Sequence, residues 1–524
     1  MVGVQRLNLS RLGRLWPAAV AGLFPVIQVP FAEDGYILPR ALLLLVACAV
    51  GLSLSCTSTG GPRIWRAWPL GLPAVAVAGA ALLAMAFSVS PTTSLVGQYL
   101  RYESAVVRVG YPVLFLVTAC LLWGGGAGDR RRVLSWFVVG CCVASIEALW
   151  EWIAFRYGLL GGIARPDGNL GNAALLGVLD AMAVAILVGR LVRREWRWSP
   201  VLLVVLGGLA ASTSRSAWLA ALLAGLVVAG LRVPRRRLPW AAAGAVLLVL
   251  LVVAGLAAGS LATLNSDPYQ LRLMLWERVL PMIRERSLFG WGEDTMGLVF
   301  GAYSHGFLPG VTFDRAHSQL LDLTVAEGLV GLAASGWFWS AYALGMLRGG
   351  RWRIEECGAL LAAILAYTVW AAVNFDWVPA TGPLWLLAGA GWASAHEPGS
   401  GGAAAARRAS LPVLAVATAA LAASVYFGIL PMLADIAYHA GRPAQAVALY
   451  PLQARYHRAL GEQLVAAGRL SDGAAELRRA GDLGDDNAAT WVEVGDAERA
   501  LGNRKEAGAA YARARAIDPA ISTP

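Results

Sequence analysis

The chain has 524 residues, of which 58% are hydrophobic and only 15% charged, with a mean hydropathy of +0.59. A soluble fold of this length could not hide that much apolar surface, so composition excludes an ordinary water-soluble domain and makes a polytopic, all-α membrane protein the default. The formal net charge of +10 comes almost wholly from arginines in short clusters between apolar runs. That spread is a topology signal, not the single basic face of a nucleic-acid-binding domain, and no nucleic-acid partner is expected.

The cysteines, Cys48, Cys56, Cys120, Cys141, Cys142 and Cys357, all lie in or beside apolar runs, with no CxxC pair and no Cys/His ligand spacing. Neither a disulfide framework nor a zinc site is expected, and no cofactor. No cleavable signal peptide is evident, and Arg6, Arg11 and Arg14 ahead of Trp16 read as the inner flank of a first span.

A helical span needs about 20 mainly apolar residues. On that measure spans fall near 16–31, 37–55, 69–87, 104–123, 133–153, 172–190, 199–212, 216–231, 238–262, 317–347, 355–374, 380–395 and 411–431, giving 12 or 13 crossings in a membrane domain over residues 1–432. The pair around Thr213-Ser214-Arg215 is short on both sides, so its turn has to sit in a protected cavity. The arginine clusters follow the even-numbered spans, as in Arg130, Arg131 and Arg132, or Arg190, Arg193, Arg194 and Arg197. The positive-inside rule then puts the N-terminus in the cytoplasm, and the long segment 263–316 with everything after residue 431 on the extracytoplasmic side.

From Leu271 the long segment turns amphipathic. Leu271, Met274, Leu275, Val279 and Met282 fall near helical spacing, with Arg272, Glu277, Arg278, Arg284 and Glu285 between them, the pattern of a helix lying flat on a membrane surface. The C-terminal residues 433–524 are alanine-rich and charged. Gly461, Gly468, Leu477 and Ala480 recur at a period of 34 as Gly495, Gly502, Tyr511 and Ala514, and Trp491, Ala507 and Pro519 fit the tetratricopeptide (TPR) pattern. A helical hairpin pair of that kind binds a partner protein or simply stacks for stability.

Arginine on the outer side runs against the orientation rule and needs a cause. The outer set is Arg101, Arg156, Arg165, Arg215, Arg272, Arg278, Arg284, Arg286 and Arg315, with Arg108 just inside the fourth span. Arg215 is the sharpest case, between two apolar helices with Ser and Thr neighbours. A charge at membrane depth costs at least about 2.5 kcal/mol unless an anion meets it. A phosphate is the natural counter-group for the guanidinium fork, and the competing reading is an arginine that snorkels to lipid headgroups. His317, at the junction of loop and span in Asp314-Arg315-Ala316-His317, is placed to accept a proton from a hydroxyl, since neighbouring arginines would keep it neutral. The competing reading is a satisfied structural histidine. His305 is a weaker candidate in a glycine-rich loop.

Arg165-Pro166-Asp167-Gly168-Asn169-Leu170-Gly171-Asn172, then Thr213-Ser214-Arg215-Ser216, then Arg272 with Trp276 and SLFGWG, then Ala316-His317-Ser318-Gln319 with Glu327-Gly328-Leu329-Val330-Gly331, come in this order. The ordered set, over roughly residues 16–395, resembles the O-antigen ligase (Wzy_C) superfamily of membrane glycosyltransferases. The resemblance implies a GT-C-like helical fold in a bacterial inner membrane. It also implies a metal-independent, inverting transfer of a glycan from an undecaprenyl-pyrophosphate carrier to an acceptor hydroxyl on a lipid, a protein or a growing glycan. Carried over by position, Arg215 and Arg272 would hold the pyrophosphate, Arg165 and Arg315 would assist, and His317 would be the essential histidine. The asparagine usual after that histidine is Ser318 here, and a TPR tail is not typical of lipopolysaccharide ligases. Ligase and O-antigen-type polymerase share this chemistry. A non-catalytic transporter or TPR scaffold, and a metal-dependent enzyme using Glu33-Asp34, are the readings from other classes. For that acidic pair, ordinary exposure on an outer loop is the plainer account.

Overall fold

The computed structural model describes residues 9–57, 70–123, 126–159, 165–231, 268–304, 313–353, 356–395, 411–485 and 487–524. Every regular element among them is a helix. The expected span at 238–262 and His305 lie outside the described residues.

The helices α1 (Leu9–Leu23), α2 (Ile37–Thr57), α3 (Gly71–Ala86), α4 (Pro91–Val96), α5 (Ala105–Leu122), α6 (Ala127–Arg156), α7 (Ala173–Val192), α8 (Ser199–Ala211) and α9 (Arg215–Gly230) form the first part of the bundle. After α10 (Pro268–Glu285) come two single turns, α11 (Met296–Val299) and α12 (Gly301–Ser304), then α13 (Gln319–Leu347), α14 (Cys357–Ala371) and α15 (Val378–Ala395). Among the described residues six helices are long and apolar enough to cross a membrane, and α3, α8, α9 and α14 are shorter apolar helices. The chain is a polytopic helical membrane protein. The first span begins earlier than expected: α1 ends at Leu23, and residues 24–36 are a turn-rich connection rather than the end of a helix.

The bundle is built around α7, which packs against α6, α8, α9 and α14, and α15, which lies against α5. Both are buried on nearly all sides, which is why their sequences are apolar throughout and lack an amphipathic stripe. Outward-facing tryptophans such as Trp136, Trp150 and Trp152 on α6 remain exposed, as side chains facing lipid or its interface are.

One long helix is broken. Gly328 in α13 takes φ +66°, ψ −163°, a conformation open to glycine alone, and a Cβ there would sit 2.3 Å from the Leu288 carbonyl. The backbone freed by the break is paired with the 287–292 segment: Leu329 N donates to Ser287 O (2.7 Å), Trp291 N to Val325 O (2.8 Å) and Gly292 N to Ala326 O (3.0 Å). An interruption at membrane depth is tolerated because protein, not lipid, satisfies it. Beside the break Arg108 of α5 is buried against Glu327 (2.9 Å), Asp376 (2.9 Å) and Glu293 (3.4 Å). This network ties α5, α13 and the loops at 286–295 and 374–377 into one unit, and removing one charge from such a buried set costs about 3–5 kcal/mol.

The amphipathic segment from Leu271 does form a helix, α10. It buries Leu275, Val279 and Met282 against Trp291, Met296, Phe300 and Ala316, while Leu271 and Met274 stay exposed. Its packed face is therefore narrower than spacing implied, because it rests on its own loop.

At the C-terminal end, α16 (Leu411–Ser424) runs through a π-turn (Val425–Ile429) into α17 (Leu430–His439), followed by α18 (Pro443–Leu449), α19 (Ala454–Ala466), α20 (Leu470–Asp482), α21 (Ala488–Ala500) and α22 (Arg504–Ile517). These pack as successive neighbours, α19 on α20, α20 on α21 and α21 on α22. Gly461 sits against Leu477 and Gly495 against Tyr511, so residues 34 apart in sequence serve equivalent helix crossings. Asp435 fastens this region to the bundle: it accepts from Asp34 N (2.8 Å), Tyr99 Oη (2.6 Å) and Tyr456 Oη (3.2 Å). Asp34 is correspondingly buried, its carboxylate receiving the N–H groups of Tyr36, Ile37 and Leu38 at the start of α2. It is a helix cap rather than an exposed marker of the outer face.

Candidate functional site

The short pair α8 and α9 meets in the turn Ser212-Thr213-Ser214, with Thr213 at φ +52°. Arg215 is the first residue of α9, so its side chain leaves from a helix N-terminus. Arg165 donates from Nε to Thr213 Oγ1 (3.0 Å) and from Nη2 to Ser212 O (3.3 Å), which draws the 165–172 loop onto the same turn. That loop is held from behind. Arg40 donates to Asn169 Oδ1 (2.9 Å), and Glu151 accepts from the backbone of Asp167 (2.9 Å) and Gly168 (3.1 Å). Gly168, at φ +53°, would put a Cβ 2.2 Å from Ala144 O, so close packing on α6 requires glycine.

Arg165, Arg215 and Arg272 line one cavity of about 590 Å³, together with Ala174, Thr213, Ser214, Ser216, Trp218 and Asn374. The N-terminal turns of α7 and α9 both border it. Two helix N-termini and three guanidinium groups border the cavity and make it positive, the environment an anion selects. It has the size of a ligand site.

His317 does not line this cavity; it is linked to it through Arg272, whose charge acts on its ring, and through Phe375, the neighbour of Asn374. Its ring packs edge-on against Phe375 (centroids 5.2 Å apart), and its backbone is left-handed, φ +54°, rare for a non-glycine residue. Burial, and then the positive charges of Arg272, Arg101 and Arg315, push its pKa down from 6.5 to about 4, with Asp314 opposing. The ring is neutral at physiological pH and able to accept a proton. Trp276 Nε1 donates to Ala316 O (2.8 Å), joining α10 to the histidine's neighbour.

The remaining expected ligand, Arg315, does not line the cavity. It is ion-paired with Asp294, sits over Phe375 (5.9 Å) and borders a smaller void lined by Glu103, Arg108, Glu293, Asp322 and Asp376. Asp294 and Asp314 hold its pKa above the ordinary arginine value, so it stays charged. Arg101 is likewise engaged, with Asp314 and over Trp377 (4.8 Å), and Arg108 is consumed by its carboxylates. In the smaller void, burial and Asp376 push Glu103 up to about 8.

The loop Asn374-Phe375-Asp376-Trp377 escaped sequence reasoning. Asn374 lines the arginine cavity and donates to Ser216 Oγ (3.1 Å), Phe375 separates His317 from the acidic void, and Asp376 pairs with Arg108. The available signal was a short polar and aromatic run between two apolar spans.

The described residues thus bring together, in a helical membrane protein, a cavity lined by three arginines and a half-buried histidine under the influence of one of them. Residues 200–335, the stretch holding Arg215, Arg272, Arg315 and His317, match the family model Wzy_C, O-Antigen ligase. Over that stretch the chain is similar to O-antigen ligases. No curated protein matches the chain.

Proposed function

We propose that the protein transfers a glycan from a lipid diphosphate carrier, of the undecaprenyl-pyrophosphate type, to an acceptor hydroxyl on the extracytoplasmic side of the membrane. The observation that carries this reading is the convergence of Arg165, Arg215, Arg272 and the α9 N-terminus on one cavity, with His317 linked to it through Arg272. The diphosphate lies among the arginines, where the bidentate guanidinium geometry fits its oxygens. His317 takes the proton of the acceptor hydroxyl as that oxygen attacks the anomeric carbon. The bond from that carbon to the phosphate oxygen breaks in the same displacement, and the charge left on the diphosphate is met by the arginines. One displacement inverts the anomeric centre. The arginines supply the stabilisation of a charged leaving group that a metal ion supplies elsewhere, and one such preorganised donor is worth roughly 10²–10³ in rate. Arg315 enters this reading as a neighbour that holds His317 neutral, not as a diphosphate ligand.

The C-terminal helices, read as TPR-like repeats, would recruit or present the acceptor, which is a lipid, a protein or a growing glycan. The test uses the purified full-length protein with a lipid-linked oligosaccharide and each acceptor class in EDTA. Release of the lipid diphosphate with matching glycosylation of one acceptor is the expected result. Transfer that needs a divalent cation contradicts the arginine mechanism, and no transfer to any acceptor contradicts the function.

A further inference from the structure

His317 occupies a backbone conformation costing about 1–2 kcal/mol, so something must hold it there. Asp322, one turn into α13, is that something. Its Oδ1 accepts the N–H of Ala316 (2.6 Å) and its Oδ2 the N–H of Ser318 (3.3 Å), the residues on either side of the histidine. This is not ordinary helix capping. Ser318 is the cap of α13, its carbonyl receives Asp322 N (2.8 Å), and the first turn begins at Gln319. The Asp322 carboxylate passes over that turn and bonds N–H groups at and beyond the cap, bracketing a left-handed residue. Trp276 closes the bracket from α10 through Ala316 O.

We propose that Asp322 is a positioning residue of the transfer site: its carboxylate clamps the two peptide groups flanking His317 and so keeps the imidazole beside Arg272 and Phe375. This rests on the reading of His317 as the proton acceptor. Released from the clamp, His317 relaxes out of the left-handed region, its ring moves toward solvent, and the charges facing it weaken their hold. Those charges are Arg272 on α10, Arg101 on the 97–104 segment, and Asp314 and Arg315 on its own loop.

The test compares Asp322→Ala and Asp322→Asn with the parent in full-length protein, reading kcat, KM for the lipid-linked donor, the pH profile, and binding of undecaprenyl pyrophosphate without acceptor. For Asp322→Ala, kcat falls on the order of 10²-fold, the loss typical of a reacting group displaced by about 1 Å, while KM and lipid diphosphate binding hold. Burial pushes Asp322 itself up to about 7, so the parent loses activity as the clamp takes up a proton on acidification, and that limb is missing from the Asp322→Ala profile. Asn keeps one acceptor oxygen and retains more activity than Ala. A variant that binds lipid diphosphate normally, turns over at the parental rate and keeps the parental pH profile overturns the proposal. Equal loss of binding and turnover in both variants also overturns it, since it marks a general structural role. His317→Ala run alongside separates the two claims: if it is active, the proton-acceptor reading fails independently of Asp322.

Discussion

At the residue scale the outer cations differ in what surrounds them, and Arg165 both lines the cavity and bonds the Ser212-Thr213 turn. By sequence position Arg101, Arg165, Arg215, Arg272 and Arg315 belong to the outer set, with Arg108 just inside the fourth span. The fold divides them by what faces them: carboxylates meet Arg101, Arg108 and Arg315, while Arg165, Arg215 and Arg272 line the cavity. Substitution should divide them the same way. Arg108→Ala leaves Glu327, Glu293 and Asp376 buried without their cation, and a loss of about 3–5 kcal/mol in thermal or denaturant unfolding is expected. Arg215→Lys should cost less stability than Arg108→Ala and cut transfer at least tenfold, because the ammonium loses the fork geometry. Stability losses of equal size in both would erase the distinction. The depressed pKa of His317 has a signed consequence too. As pH falls below 6.5 the unfolded chain binds the proton first, so the stability this residue lends above 6.5 is lost progressively toward pH 4. Melting curves of the parent should therefore drop faster over that window than those of His317→Gln, and parallel curves would contradict a histidine held neutral by its surroundings.

At the element scale the site depends on departures from regular structure that sequence patterns register poorly. Apolar periodicity located most helices, since runs such as Leu38–Leu54 have no other stable home in lipid, and the ordered motifs marked Arg215, Arg272 and His317. It could not show that α13 breaks at Gly328, because an apolar run containing a glycine reads the same whether straight or kinked. It could not find Asn374 or Asp376 either, for their roles exist only once α9 and α5 come alongside. Gly328→Ala should be among the most damaging single-methyl changes in the chain, since the Leu288 carbonyl occupies the space; reduced yield of folded protein in detergent is the readout, and normal yield with normal melting would contradict the kink. The C-terminal helices touch the same machinery. Leu483 O and Gly484 O accept from Thr93 Oγ1 (3.0 Å) and Gln98 Nε2 (2.7 Å), and Gln98 N donates to Asp294 (2.9 Å), the partner of Arg315. Asp435→Ala strands Tyr99, Tyr456 and the Asp34 N–H, a cost of at least about 2 kcal/mol. Faster hydrogen exchange at 90–104 than in the parent is the expected sign that the segment relies on this anchor, and unchanged exchange there would show that it does not.

At the scale of the whole molecule, the site lies at one end of a bundle whose opposite loops carry Arg131, Arg193 and Arg197. The arginine bias across the chain is the ground for the proposed orientation, with the His317 end outside and the basic end inside. One proposal unites the scales: the cavity of Arg165, Arg215 and Arg272 grips a lipid diphosphate while His317 takes the acceptor's proton. The direct measurement is the affinity of undecaprenyl pyrophosphate for the parent, Arg215→Ala, Arg272→Ala and His317→Ala proteins in one lipid composition. Losing a charge-assisted bond costs about 1.5–3 kcal/mol, so each arginine variant should bind more than tenfold more weakly, while His317→Ala binds like the parent yet transfers no glycan. Arginine variants that bind as tightly as the parent would contradict the account at its centre.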